Sequence, residues 1–117
     1  MNGWNHKRLD ELARIRRGAS PRPIDDPRWF AREGPGWVRI SDVTRANGRL
    51  QKTEQCLSSD GVERSVRVGL GDVLMSICAT IGEPVTVEMD ACIHDGFVVF
   101  DGFEGKLDRR FLLHLLR

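Results

Sequence analysis

Residues 71–84 read GDVLMSICATIGEP, and this stretch restricts the fold more than any other in the chain. A tight turn, Gly69-Leu70-Gly71-Asp72, feeds an apolar run, Val73–Cys78, suited to a buried strand. The run stops at Ala79-Thr80-Ile81-Gly82, where the chain reverses on a threonine and a glycine. Two more strands are expected after it, Pro84–Glu88 and Phe97–Phe100, with Ala91–Ile93 a short extended piece between them. Val73–Cys78 and Phe97–Phe100 are expected at the centre of the sheet, with their apolar side chains buried.

Other segments are equally short. Gly36–Ile40 reads as a strand, and Ser41-Asp42 after it is suited to capping a turn or short helix. Asn47-Gly48 is a turn. Ser58–Arg64 reads as a short helix with a serine N-cap, and Asp108 is placed to cap a terminal helix, Arg109–Leu116, apolar on most of its surface. Leu9-Asp10-Glu11-Leu12 makes a helical turn, and Ala13–Arg17 alternates like a half-buried strand. One amphipathic helix over Lys7–Arg16 fits these residues too. GASPRPIDDP, with Pro21, Pro23 and Pro27, is a loop, and Arg28–Arg32 is expected to form one helical turn before a break at Gly34-Pro35-Gly36. The expected fold class is α+β: a small mixed, mainly antiparallel sheet of short strands with a few short helices.

At 117 residues the chain supports one small domain. No apolar stretch approaches the roughly 20 residues of a membrane span. MNGWNHKRLDEL lacks the apolar centre of a signal peptide. Cys56, Cys78 and Cys92 are scattered and lack metal-ligand spacing, which suits reduced thiols in a cytoplasm and no metal site. No membrane partner is expected.

The formal net charge is only +1, but it is unevenly divided. Residues 1–45 hold ten Lys/Arg against six Asp/Glu, and residues 46–117 hold eight against eleven. Nine of the first ten are arginine, the side chain best shaped for bidentate contact with phosphate and guanine. An ordinary solvated surface also fits this asymmetry.

Little in the chain suggests catalysis. Cys92, His94 and Asp95 invite a nucleophile reading, yet alternation puts Cys92 and His94 on one face with no third orienting group. Asp25-Asp26 and Asp90 suit the capping of backbone N–H groups in loops. No phosphate loop, zinc spacing or nucleotide fingerprint occurs. Trp37 is expected in the core, whereas Trp29, flanked by Arg28 and Arg32, is expected to be partly exposed.

Six segments, in order, carry a resemblance. They are Trp4 with Arg8–Leu12, Ile15–Gly18 and Pro21; Gly36–Val43; Gly71–Ser76; Ala79–Gly82; Ala91–Phe97; and Leu107-Asp108 with Phe111-Leu112. Together they resemble the target recognition domain of the DNA-specificity (S) subunit of type I restriction–modification enzymes. His94-Asp95 stands where that family usually has Asn-Gln, so hydrogen bonds made by that pair are not carried over. The spacer helix that follows such domains has no counterpart before Arg117, so residues 1–117 read as a single recognition domain truncated at its C-terminal end.

The resemblance implies a non-catalytic component that reads one half of a bipartite duplex DNA target. Partner modification subunits would bind S-adenosylmethionine and methylate, a restriction subunit would cut, and this chain would need no cofactor. The expected DNA-binding residues are Arg14, Arg16, Arg17, Ser20, Arg22, Arg28, Arg39, Ser41, Thr80 and His94. Ser20, Arg22 and Arg39 come first as base readers, because they lie in or beside the segments least matched to the common pattern. Ser41 and Thr80 would equally serve as caps of their own turns. Two further readings stay open: a module that docks on modification subunits through the terminal helix without reading DNA, and a small thiol enzyme using Cys92 and His94.

Overall fold

The computed structural model describes residues 13–77, 84–103 and 108–116. The helical turn read at Leu9–Leu12 and the Ala79–Gly82 reversal, with Cys78 before it and Thr80 inside it, lie outside the described residues. Within them the strands are β1 (Arg14–Arg17), β2 (Phe30–Val38), β3 (Arg49–Leu50), β4 (Gln55–Leu57), β5 (Val66–Val68), β6 (Val73–Ser76), β7 (Val85–Val87), β8 (Ala91–Ile93) and β9 (Phe97–Asp101). They form a five-stranded sheet, β1-β9-β6-β7-β3, and a four-stranded sheet, β4-β2-β8-β5. Pairing is mainly antiparallel, with β2–β8 and β3–β7 parallel. The mixed α+β class holds, and β6 and β9 are interior strands as expected.

Alternation along each strand supplies two faces, and both need cover. Val38, Val68, Ala91 and Ile93 of one sheet meet Leu50, Leu74, Val85, Val87, Phe97 and Val99 of the other in a buried central layer. The opposite parity faces outward. Val73 and Phe100 lie under the terminal helix Arg109–Leu116, where Leu112 and Phe103 complete a second cluster. Trp37, Leu57 and Cys92 lie on the far side with Phe30 and with Val62 of the short helix Ser59–Glu63. Each large side chain buried this way contributes about 1.5–3 kcal/mol. Leu112, Leu113 and Leu116 of the terminal helix are thus spent on its own sheet.

β1 settles the choice between strand and helix at residues 14–17. It pairs with β9 over four residues, Arg14 opposite Asp101 through Arg17 opposite Val98. Ser58 caps the Ser59–Glu63 helix as read, its Oγ accepting from the Gly61 N–H at 3.2 Å. Asn47, at φ 52°, ends a helix, the second of the two forms, turn or short helix, that Ser41-Asp42 suits. That helix, Ile40–Ala46, replaces the last residues of the expected Gly36–Ile40 strand. Its cap is Asp42, whose carboxylate accepts from the Arg39 backbone N–H at 2.9 Å.

Residues 27–36 depart most from expectation. In place of a helical turn over Arg28–Arg32, a 3₁₀ turn covers Pro27–Trp29 and β2 begins at Phe30. Asp26 caps that turn by accepting from the Arg28 N–H at 3.0 Å. Gly34-Pro35-Gly36 is no break: Ala31 and Gly36 both stand opposite Cys56, so Arg32–Pro35 bulge out of a continuing strand. Gly34 has φ 140°, and a Cβ there would lie 2.4 Å from the Leu57 carbonyl oxygen. Pairing with β4 on both sides of the bulge overrides the local breakers.

Trp29 is 2% exposed, contrary to the partial exposure expected. Its indole N–H donates to the Pro23 carbonyl at 2.8 Å. The guanidinium carbons of Arg28 and Arg64 lie 4.6 and 5.0 Å from the ring centroid. Arg64 comes from a distant segment, so no local pattern announced it. No described helix is long and apolar enough to cross a membrane.

Candidate functional site

The site is a consequence of strand register. Val38 stands opposite Ile93 in the parallel β2–β8 pair, so Arg39 leaves one strand where His94 leaves the other. Arg17 stands opposite Val98, and the chain after it docks on the β8–β9 connection: Gly18 N–H donates to Phe97 O at 2.9 Å and Ala19 N–H to Ile93 O at 3.1 Å. Ser76 stands opposite Phe97, and the next residue, Ile77, donates its N–H to Gly96 O at 2.9 Å. Arg17, Ser20, Arg22, Arg39, Ser41 and His94 therefore gather at one end of the stacked sheets. Glycine at 18 is required, because a Cβ would lie 2.0 Å from the His94 carbonyl oxygen.

Asp95 organises this end. Its carboxylate accepts from Ser20 Oγ at 3.1 Å and from Arg22 Nη2 at 3.3 Å, and its carbonyl accepts from Arg17 Nε at 2.9 Å. The bond from Ser20, helped by the Asp95 backbone and the charge of Arg22, holds the Asp95 carboxyl below its ordinary range despite some desolvation. His94 is half-buried, its ring 5.8 Å from Trp37 and 4.7 Å from Phe97 between centroids. Burial lowers its pKa, and its Nδ1 accepts from the Gly96 N–H at 2.9 Å. With Nδ1 accepting, the neutral imidazole carries its N–H at Nε2.

Arg39 reaches the same end but turns back to carboxylates. Its Nη2 lies 3.1 Å from Glu54, and its buried Nε, without a hydrogen-bond partner, is 3.8 Å from Asp42. Arg45 bonds both carboxylates and is the main cause of the lowered pKa of Glu54, with Arg39 second. A cleft of about 560 Å³ beside this group is lined by Arg45, Arg49, Gln51, Lys52 and Thr53. Its charge is largely compensated, since Arg49 is bonded to Glu88 at 2.9 Å. Ser41 is exposed on the helix that follows Arg39.

Three expected residues lie elsewhere. Arg14 and Arg16 both bind Asp101, each at 2.7 Å, and Arg16 also donates to the Arg67 carbonyl at 3.3 Å, bridging the edges of the two sheets. Arg28 pairs with Asp26 at 3.1 Å and lies over Trp29. Thr80 falls outside the described residues. One contributor was missed: Asp95, visible as the acidic half of the pair that departs from the family pattern.

Cys92 belongs to the structure of the sheet. It is fully buried against Trp37 and Leu57, and desolvation pushes its pKa up to about 11. A protonated thiol in a dry face is not an activated nucleophile. Among the described residues no group of three or more His, Cys, Asp or Glu side chains is placed to hold a metal ion.

Two solved structures share this fold. The crystal structure of the HsdS subunit from Thermoanaerobacter tengcongensis superposes with TM-score 0.72 at 24% identity, covering 94% of this chain and 26% of that one. A structure described for complex assembly and conformational transition of the type I R-M system gives TM-score 0.72 at 24% identity, covering 93% of this chain and 26% of that one. This chain therefore has the fold of a domain of the HsdS subunit and spans about a quarter of those chains. No protein-family model and no curated protein matches the sequence.

Proposed function

We propose that this chain is a duplex DNA recognition domain of a prokaryotic type I restriction–modification specificity subunit. It reads one half of a bipartite target and performs no chemistry itself. Modification subunits, carrying S-adenosylmethionine, and through them a restriction subunit, act on what it selects, in the cytoplasm where the DNA lies. The observation that carries this reading is the convergence of Arg17, Ser20, Arg22, Arg39, Ser41 and His94 on one end of a fold shared with HsdS. Arginine forks, hydroxyls and a neutral imidazole are the groups that distinguish base edges, and a rigid two-sheet scaffold holds their backbones.

Division of labour follows from the partners these groups already have. Arg22, Ser20 and His94 serve base edges. Arg17 serves phosphates, where a point of positive charge suffices, while Arg14 and Arg28 lie away from this end. The reading as a docking module alone is less favoured, because the terminal helix buries Leu112 against its own sheet.

Selection of bound duplexes from a random library tests the proposal, followed by titration of the selected duplex at several salt concentrations. The expected result is one enriched half-site, with log K falling linearly in log salt by about 0.9 per phosphate contacted. Equal affinity for selected and scrambled duplexes, or no binding, overturns it. Co-purification with a modification subunit in the absence of DNA affinity would establish the docking module instead.

A further inference from the structure

We infer that Asp95 is a positioning residue that makes Arg22 a reader of guanine. The inference rests on the DNA-facing assignment of this end and adds to it one base and one residue. A carboxylate is costly on a surface that meets phosphates, and the Asp95 side chain is 47% exposed. It is also committed: Ser20 Oγ donates to one oxygen and Arg22 Nη2 to the other. Bonding at both oxygens opposes rotation of the carboxylate and directs the arginine head.

Arg22 is also held at its base. It lies between Pro21, which is buried, and Pro23, and each ring fixes its own φ. The side chain between these two anchors is 79% exposed, so its outer N–H groups face solvent. A guanidinium carries five N–H donors, and Asp95 takes one. The remaining donors form the fork that matches O6 and N7 of guanine in the major groove. Cytosine and adenine place amino donors there, which an arginine does not accept, and thymine offers a single acceptor. Arg39, by contrast, directs its guanidinium toward Glu54 and Asp42, and must leave them before it reads anything.

The test uses the whole 117-residue chain and its variants Arg22→Ala and Asp95→Asn, each checked for unchanged thermal unfolding. Duplexes selected by the wild type should contain one guanine at which both variants lose preference. Arg22→Ala should lose roughly five- to hundredfold in affinity for that duplex and little for a scrambled one. Asp95→Asn should keep scrambled binding and lose several-fold in preference at the same position. Replacing the guanine by 7-deazaguanine, which removes N7, should weaken the wild type and leave Arg22→Ala unaffected.

Specific binding with guanine preference unchanged in Asp95→Asn overturns the inference and leaves the DNA-reading assignment standing. Preference lost instead at a cytosine would also overturn it, and would make Asp95 a direct reader of the N4 amino group. If the wild type selects no duplex, the assignment fails and the inference fails with it.

Discussion

Asp95 and Asp101 bracket the same strand and perform opposite tasks. Asp101 has a side chain 7% exposed and clamps Arg14 and Arg16. Burial alone would raise its pKa, but the bonds from Arg14 and Arg16 outweigh that and hold it low. The carboxylate of Asp95 is 47% exposed and holds Ser20 and Arg22 in the open. Water can replace a lost partner at Asp95 but reaches little of Asp101. The chemistry is the same, and the difference lies in solvent access. A buried carboxylate with two arginines closes an edge of the fold, whereas an exposed one presents its arginine outward.

The backbone under the open cluster is nonetheless rigid, and the largest effect is expected there. Gly18→Ala places a Cβ 2.0 Å from the His94 carbonyl oxygen and 2.7 Å from that of Ile93. Neither backbone atom can yield cheaply, so the substitution should cost about 3 kcal/mol. Urea unfolding will show it as a lowered midpoint at unchanged slope. A loss well below 1 kcal/mol would mean that the loop carrying Ser20 and Arg22 is not docked as described.

Asp101→Ala comes next, at about 2 kcal/mol. The usual cost of breaking a buried ion pair is discounted because Arg14 remains largely in water. Asp95→Asn should cost less than about 0.5 kcal/mol in the same measurement. Equal losses at the two positions would erase the distinction between clamp and presenter.

The smallest effects concern pH. Both carboxyls have lowered pKa values, so their stabilisation is present above the ordinary 3.8 and is lost as pH falls through the lowered values. Asp101→Asn should remove more of this acid sensitivity than Asp95→Asn. His94 acts in a higher window. Its pKa is depressed by burial from 6.5, so the stability tied to its neutral form is present above 6.5 and is lost as pH falls through the lowered value. His94→Gln should flatten the stability profile just below pH 6.5, which denaturation midpoints measured down from that pH will show.

Much of the fold was legible in the sequence. Apolar alternation located Val73–Ser76, Val85–Val87, Ala91–Ile93 and Phe97–Asp101. Ser58 and Asn47 fulfilled local turn and cap chemistry, because such bonds span only a few residues. Strands β3, β4 and β5 carried too few residues to show a period. The Arg32–Pro35 bulge followed its breakers in composition but not in outcome, since β4 pairs on both sides of it. Trp29 was misjudged because Arg64, which covers one face, arrives from another segment.

For the candidate site, the sequence by itself determined which side chains were available: an arginine-rich first part, a rigid proline loop, and a His-Asp pair between two strands. Only the tertiary structure decided which carboxylate each arginine meets. Arg14 and Asp101 are 87 positions apart, and Ser20 and Asp95 are 75 apart. Such pairs are set by strand register, in which one step moves every side chain to the opposite face. Register in turn is fixed by a buried layer shared between two sheets. No local window contains that layer, so the identity of the groups was readable and their convergence was not.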